Sequence, residues 1–208
     1  GPDAAGSYAG FEFEHFRFDS ADTTSLSANR LFSLLEDRTG RIWVGTVDEG
    51  VEVFTPGQAG FKHYRPNRDR PNSISDNGVE CLYQDAAGLF WFGTLAGGLN
   101  RLDYGTGEFR HYQYDAADPR SLSNNHVTSI LQDDQGILWV ATADGLNRMD
   151  PGRDDFGHYF EAEGLPNSYI YGLLPDGEGQ LWLSTNYGLS RIDPATESFR
   201  NFTTRDGL

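Results

Sequence analysis

Apolar and polar positions follow one order that returns four times along the chain. An apolar-rich run such as VTSILQD (127–133) leads into a D-x-x-G segment, and a second run, ILWVAT (137–142), follows it. Gly145 then opens LNRMD (146–150), and Pro151-Gly152 lead to FGHYF (156–160). Short runs rich in β-branched and aromatic residues, bounded by Gly, Pro and Asp, predict strands rather than helices. In the D-x-x-G segment the glycine can take the positive φ that a tight hairpin needs. Each unit therefore reads as four short antiparallel strands, and no helix signal interrupts them.

The tryptophans give the register. Trp43, Trp91, Trp139 and Trp182 recur every 43 to 48 residues or so, a blade-like period. Six residues ahead of each stands Asp37, Asp85, Asp133 or Asp176, and three ahead stands Gly40, Gly88, Gly136 or Gly179. Three residues beyond comes Thr46, Thr94, Thr142 or Thr185, followed by Gly50-Val51, Gly98-Leu99, Gly145-Leu146 or Gly188-Leu189. Aromatic pairs close the units: Phe61/Tyr64, Phe109/Tyr112, Phe156/Tyr159 and Phe199/Phe202, with Phe13/Phe16 ahead of the first. Four antiparallel strands at this spacing are the signature of β-propeller blades, since solenoid repeats of similar length are mostly helical.

The expected fold is all-β: a β-propeller fragment of four four-stranded antiparallel blades plus an extra N-terminal outer strand, Phe11–Phe18. The units are drawn at about 11–60, 61–108, 109–155 and 156–198, with 199–208 resembling the start of another. Residues 1–10 read as tag or linker, Gly1-Pro2 being of cleavage-scar type. Within the first strand, the column Ser33, Cys81, Ser129 and Gly172 holds only small residues, as crowding near an axis requires. Its neighbours, Leu31/Val79/Val127/Ile170 and Leu34/Leu82/Ile130/Leu173, are apolar and suit burial between blades. The column Phe32, Glu80, Thr128 and Tyr171 varies and is expected to line the axial channel or its mouth.

Composition narrows the function classes. A formal charge of −15 with no Lys/Arg run excludes nucleic acid as a partner. No window is apolar enough to span a membrane, and a single cysteine excludes an internal disulfide or a multi-cysteine metal cluster.

The stretches ILQDDQGILWVATADGLNRMDP (130–151) and LLPDGEGQLWLSTNYGLSRIDPATESFRNFTTRDGL (173–208) resemble two-component regulator propeller repeats, and the resemblance runs over residues 11–208. It implies the sensor region of a bacterial membrane-bound signalling receptor, periplasmic or extracytoplasmic. The effector beyond the membrane would be a histidine kinase, a hybrid kinase or a diguanylate cyclase. Contact with a membrane would come only through parts of a longer protein. The first unit departs from the pattern, with Glu52-Val53 where the others hold Asn100-Arg101 and close equivalents.

A residue repeated in every unit serves the scaffold. His15, His63, His111 and His158 share one column of the outer strand and read as structural; His126 stands alone ahead of an inner strand. Cys81 reads as packing, and the aspartates of the hairpins as turn residues rather than calcium ligands. No metal or other cofactor is expected. The residues that break the repeat lie in two loop sets on the face where propellers bind ligands. The loops between second and third strands hold Asp48, Glu49, Leu95, Asp144, Asn186 and Tyr187; those between blades hold Arg68, Arg70, Arg120 and Leu165–Tyr169. From these the expected ligand contacts are Asp48, Glu49, Arg68, Arg70, Arg120, Asp144, Tyr169, Asn186 and Tyr187.

The leading expectation is a binding module for a small extracellular molecule, with an oligosaccharide the best choice. Tyrosine faces suit sugar rings, and Asp, Asn and Arg suit hydroxyls. The alternatives are a protein-interaction or dimerisation scaffold without small ligand, and a lyase or glycan-cleaving propeller. No nucleophile with a base and no separate carboxylate pair supports the enzyme. Because an arc of four blades leaves two inter-blade faces open, a homo-oligomer is expected, through pairing of Phe11–Phe18 with a sheet edge of a second copy.

Overall fold

The computed structural model describes residues 14–207, so the tag or linker reading of residues 1–10 lies outside the described residues. Sixteen strands form four separate four-stranded antiparallel sheets in simple up-and-down order. Blade 1 comprises β1 (Leu31–Glu36), β2 (Ile42–Thr46), β3 (Val51–Phe54) and β4 (Phe61–Tyr64). Blade 2 comprises β5 (Val79–Gln84), β6 (Phe90–Thr94), β7 (Leu99–Asp103) and β8 (Glu108–Tyr112). Blade 3 comprises β9 (Val127–Gln132), β10 (Leu138–Thr142), β11 (Leu146–Met149) and β12 (Gly157–Tyr159), and blade 4 β13 (Ile170–Pro175), β14 (Leu181–Thr185), β15 (Gly188–Asp193) and β16 (Ser198–Phe202). Among the described residues helix is confined to two single 3₁₀ turns, Glu161–Glu163 and Thr204–Asp206.

Each repeated residue has a local task. Asp133 caps the hairpin between β9 and β10: its Oδ1 accepts the N–H groups of Gln135 and Ile137, both at 2.9 Å, and its Oδ2 accepts Trp139 Nε1 at 2.8 Å. Asp37 and Asp85 hold Trp43 and Trp91 through the same indole bond at 2.8 Å. For Asp37, burial raises the carboxyl pKa, yet hydrogen bonds from Thr39, Trp43 and the Arg41 backbone outweigh it and leave the group well below the usual carboxylate range. Thr94 closes the opposite turn, its Oγ1 donating to Gly98 O at 2.8 Å and accepting Gly97 N–H at 2.9 Å. Gly98 sits at φ +78°, and a Cβ there would stand 2.3 Å from Tyr112 O, so only glycine fits.

The core lies between blades, in three clusters. Every blade shows a front face to the next blade, built on Trp43, Val51 and Tyr64 and their equivalents. Its back face, exemplified by Val79, Phe90, Phe92, Leu102 and Phe109, receives the blade before. Inner strands β1, β5, β9 and β13 stand side by side in that order, and no comparable contact joins β13 back to β1, so the four blades form an open arc. The small column lets the inner strands approach: a Cβ on Gly93 would come 2.3 Å from Cys81 Sγ and 2.6 Å from Val127 of the next blade. Polar latches cross the same seams, Ser129 Oγ accepting Leu173 N–H at 3.2 Å and Thr128 Oγ1 donating to Ile170 O at 2.6 Å.

The connections between blades repeat as firmly as the strands. Ser25, Ser73 and Ser121 accept the N–H groups of Asp19, Asn67 and Asp115 at 2.8–2.9 Å. The following Leu26, Ile74 and Leu122 are buried. One fully buried leucine contributes about 1.5–3 kcal/mol against about 1 kcal/mol for a hydrogen bond, so the apolar anchor dominates. The outer-strand histidines tie these connections down: His111 Nε2 pairs with Ser73 O and His158 Nε2 with Ser121 O, both at 2.7 Å, and His63 Nε2 with Thr23 O at 3.0 Å. Asn201 takes the fourth place, donating to Gly164 O at 2.9 Å.

Blade 1 departs where its sequence does. Asn100 and Asn147 are buried and bond Ser75 and Ser123 of the incoming connections. Glu52 occupies that place in blade 1, buried and bonded to Ser27 and His63 instead. Val53 stands where Arg101, Arg148 and Arg191 lie over their tryptophans, and Arg41 supplies the cation over Trp43 at 5.7 Å.

Three sequence expectations change. The sheets divide the chain elsewhere than the units drawn from the pattern, because β4 closes blade 1 and β16 closes blade 4 rather than opening a further unit. Of the N-terminal strand at Phe11–Phe18, residues 11–13 lie outside the described residues, and residues 14–18 form no ladder. Phe18 makes a single parallel bridge to Leu26, and Phe16 lies on Phe54 and Phe61 at 4.9 and 5.5 Å, held by ring packing rather than by a sheet edge. Thr128 does not line the channel mouth: it is buried because its hydroxyl is drawn to blade 4.

Candidate functional site

Two loop sets meet on one face of the arc. Where a second strand turns into a third, the backbone bonds to the segment entering the next inner strand: Gly50 N–H donates to Asn77 O at 2.8 Å, Gly98 N–H to Asn125 O at 2.9 Å, and Gly145 N–H to Ser168 O at 2.7 Å. Within each blade, Leu95 N–H donates to Gly78 O at 2.9 Å and Ala143 N–H to His126 O at 3.0 Å. These bonds fasten the loops to the mouth of the inner strands, so side chains at the first turns of β5, β9 and β13 share one rim.

A cluster forms there across three blades. Glu80, second residue of β5, places Oε2 2.6 Å from His126 Nε2, just ahead of β9. The His126 ring meets Tyr169 edge-on at 6.0 Å, and Tyr169 lies 4.7 Å from Tyr171. Tyr171 donates its hydroxyl to Asn186 Oδ1 at 2.7 Å. Next to Asn186, Tyr187 donates its N–H to Thr185 Oγ1 at 3.0 Å and leaves its ring exposed. Partial burial, then the negative charge of Glu80 and the neighbouring Tyr171, raise the Tyr169 pKa above the usual phenol value.

The chemistry on offer is a flat aromatic surface beside an acceptor carboxylate, an imidazole and an amide. Tyr171 and Tyr187 are 55% and 66% exposed, so large ring area faces solvent at the rim. Cys81 is half-buried in the seam, and burial, then the charge of Glu80, push its thiol pKa up. Among the described residues no three His, Cys, Asp or Glu side chains are grouped to hold a metal ion.

Of the residues expected from sequence, Tyr169, Asn186 and Tyr187 come together in this cluster. Asp48 and Glu49 lie on the same face but in blade 1, paired with Arg30 at 3.7 Å and Arg65 at 3.4 Å. Asp144 donates its N–H to Thr142 Oγ1 at 3.1 Å and borders a separate groove with Tyr114, Asp115 and Asn124. Arg68 borders a groove with Asn77 and Gln113, whereas Arg70 and Arg120 are not on the rim. Their connections first run along the outer edge of the next blade, where Asn72 O accepts Phe109 N–H at 2.7 Å and Arg120 O accepts Phe156 N–H at 2.9 Å. Arg120 accordingly pairs with Asp155 at 3.4 Å, in the turn between β11 and β12 on the opposite face, and Arg70 borders the corresponding turn at Thr106–Glu108. Leu165 is a buried anchor, the counterpart of Leu122. Glu80, His126 and Tyr171 were absent from the expected contacts; the signal for Glu80 and Tyr171 was the inner-strand column that varies, and for His126 its place alone ahead of β9.

A family model described as two component regulator propeller matches residues 25–48, 73–96, 121–144 and 164–187. The chain carries four two-component regulator propeller repeats. Each matched segment runs from the linker, at Ser25, Ser73, Ser121 or Gly164, through the inner strand to the turn after the conserved threonine, and together they contain every residue of the rim cluster. The extracellular domain of a hybrid two-component system from B. thetaiotaomicron superposes with a TM-score of 0.77 at 30% identity, covering 86% of this chain and 25% of that one. A second such domain from the same organism gives 0.73 at 22% identity, over 96% of this chain and 34% of that one. The chain thus spans about a quarter to a third of these relatives. Virginiamycin B lyase from Staphylococcus aureus shares the fold, with a TM-score of 0.64 at 17% identity over 84% of this chain and 55% of the lyase. No curated protein matches the chain. No helix among the described residues is long and apolar enough to cross a membrane.

Proposed function

We propose that this arc is part of the ligand-sensing region of a bacterial membrane signalling receptor, acting outside the cytoplasm, and that its rim binds a small extracellular molecule of the oligosaccharide class. The observation that carries this reading is the pairing of exposed tyrosine rings with the Glu80–His126 pair and Asn186 on one rim. Sugar rings stack their C–H faces on aromatic side chains, and their hydroxyls bond carboxylates and amides. The homology to extracellular domains of two-component systems supports the sensor role. We assign binding rather than turnover to the site, since Glu80 holds His126 and the Cys81 thiol faces Val127 O in the seam.

Calorimetric titration of a glycan panel tests this. A binding sugar is expected to lose at least tenfold in affinity, about 1.4 kcal/mol, in Tyr171→Ala and in Glu80→Gln, while Arg120→Ala binds as the parent does. The absence of binding to any sugar at millimolar concentration would sink the proposal, as would loss confined to Arg120→Ala. Bond cleavage in a bound glycan would overturn the assignment of binding without turnover.

A further inference from the structure

At two of the three seams between blades, the outer hairpin of the following blade hands a carboxylate to a tyrosine and an arginine of the blade before it. Asp154 of blade 3 accepts the Tyr112 hydroxyl of blade 2 at 2.7 Å and pairs with Arg110 at 2.9 Å. Glu197 holds the same place in blade 4, and it pairs with Arg148 beside Tyr159 of blade 3. In blade 2 that place belongs to Gly107, which has no side chain to offer. Tyr64 of blade 1, the counterpart of Tyr112, is 8% exposed, and its hydroxyl is buried with no hydrogen-bond partner among the described residues.

We propose that the cleft at the seam of blades 1 and 2, on the face of the arc opposite the rim, binds the carboxylate group of a small organic acid. The cleft has a volume of about 510 Å³ and is bordered by Tyr64, Arg70, Thr106 and Gly107. A buried donor left without a partner is costly, and at the next seam this chain meets the same need with an anion. Lys62 stands in the place of Arg110, with its Nζ 4.5 Å from the centre of the Tyr64 ring, and both Lys62 and Arg70 are exposed. Asp69 and Glu108 also border the cleft and offset part of that positive charge. The Tyr64 hydroxyl, which neither acid reaches, therefore fixes where the ligand sits.

Room for the group lies beside Gly107, where a Cβ would meet nothing within 4 Å. The hydroxyl is covered, and the carboxylate reaches it as the Lys62 side chain swings from the Tyr64 ring to the incoming charge, giving up a cation–π contact that is weak at an exposed position. One carboxylate oxygen then accepts the Tyr64 hydroxyl and the other takes Lys62, as Asp154 divides Tyr112 and Arg110 between Oδ1 and Oδ2. One hydroxyl and one ammonium match the two oxygens and single charge of a carboxylate better than the three oxygens and higher charge of a phosphate. The site stands whether or not the rim takes sugars.

Amide chemical shifts followed through a titration with sodium acetate at constant ionic strength test the site, with phosphate and chloride as rival anions. Saturable shifts are expected at residues 62–64 and 106–108 with acetate and not with chloride, and binding should weaken about fivefold or more in Tyr64→Phe and in Lys62→Ala. Gly107→Glu puts a carboxylate where Glu197 holds one, at a positive φ that Glu197 itself adopts, and should abolish acetate binding. Gly107→Ala, strained alike but uncharged, should keep it. Any of four results overturns the proposal: no saturable shift in the parent, which leaves only water on Tyr64; phosphate binding as tightly as acetate; undiminished binding in Tyr64→Phe; or Gly107→Glu and Gly107→Ala behaving alike.

Discussion

Trp139 and Trp182 hold equivalent places in the repeat but differ in what covers them, and their truncation measures the arc directly. Trp139 is fully buried between blades 3 and 4, packed among Leu146, Tyr159 and Leu183. Removing such a side chain costs about 3–5 kcal/mol through lost burial and the cavity left behind. Its indole also donates to Asp133 Oδ2, and loss of a partner at a buried carboxylate adds about 1–3 kcal/mol, lessened here because two backbone N–H groups still serve Oδ1. Trp139→Ala is therefore expected to cost about 4–6 kcal/mol, a large share of the 5–15 kcal/mol that holds a typical domain together. For a chain of this size that is a fall of roughly 10–20 °C in Tm. Trp182 lies on the open front face, part of its surface is already wet, and Trp182→Ala is expected to cost about 1–2 kcal/mol. Thermal unfolding followed by tyrosine and tryptophan fluorescence provides the comparison. Equal losses in the two variants would refute the assignment of a covered and an open face.

Other expectations follow from single contacts. Gly98→Ala forces a Cβ against Tyr112 O at positive φ, so it should cost more than the roughly 1 kcal/mol of an ordinary glycine replacement and be visible as a lowered urea midpoint. His111→Ala frees Ser73 O and the connection it anchors, costing about 1 kcal/mol and speeding hydrogen exchange in residues 67–75 without altering ligand binding. Asp37 has a folded-state pKa depressed below 3.8, so its contribution to stability is full above that value and lost as pH falls through the folded pKa. Asp37→Asn should lower stability at neutral pH and flatten the decline between about pH 4 and pH 2, and an unchanged acid profile in that variant would count against the hydrogen-bonded carboxylate.

The repeat makes the architecture legible in the sequence, because each repeated column answers to a local rule. Aspartate caps a hairpin and holds an indole, threonine and glycine close the opposite turn, and small residues sit where inner strands crowd. Such contacts span only a few positions of chain, or one repeat to the next, so identical units carry identical instructions. The outer-strand histidines were legible as structural for the same reason, although their partners, the linker carbonyls, were not.

What the sequence did not contain was which loop residues converge. Arg70 and Arg120 share connections with residues of the rim, yet the path of those connections along the outer edge carries them to the far side, and that path follows from hydrogen bonds to a strand of the next blade. Glu80 and His126 are far apart in the chain and carry no mutual signal, but adjacent inner strands bring them within bonding distance. The N-terminal aromatic pair read as a strand because its pattern is that of an outer strand, whereas a strand needs an edge to pair with and Phe16 finds only a face. Local chemistry along the chain decides the blade. The order in which blades stand side by side, and the faces left open at the two ends, arise only when the blades pack together.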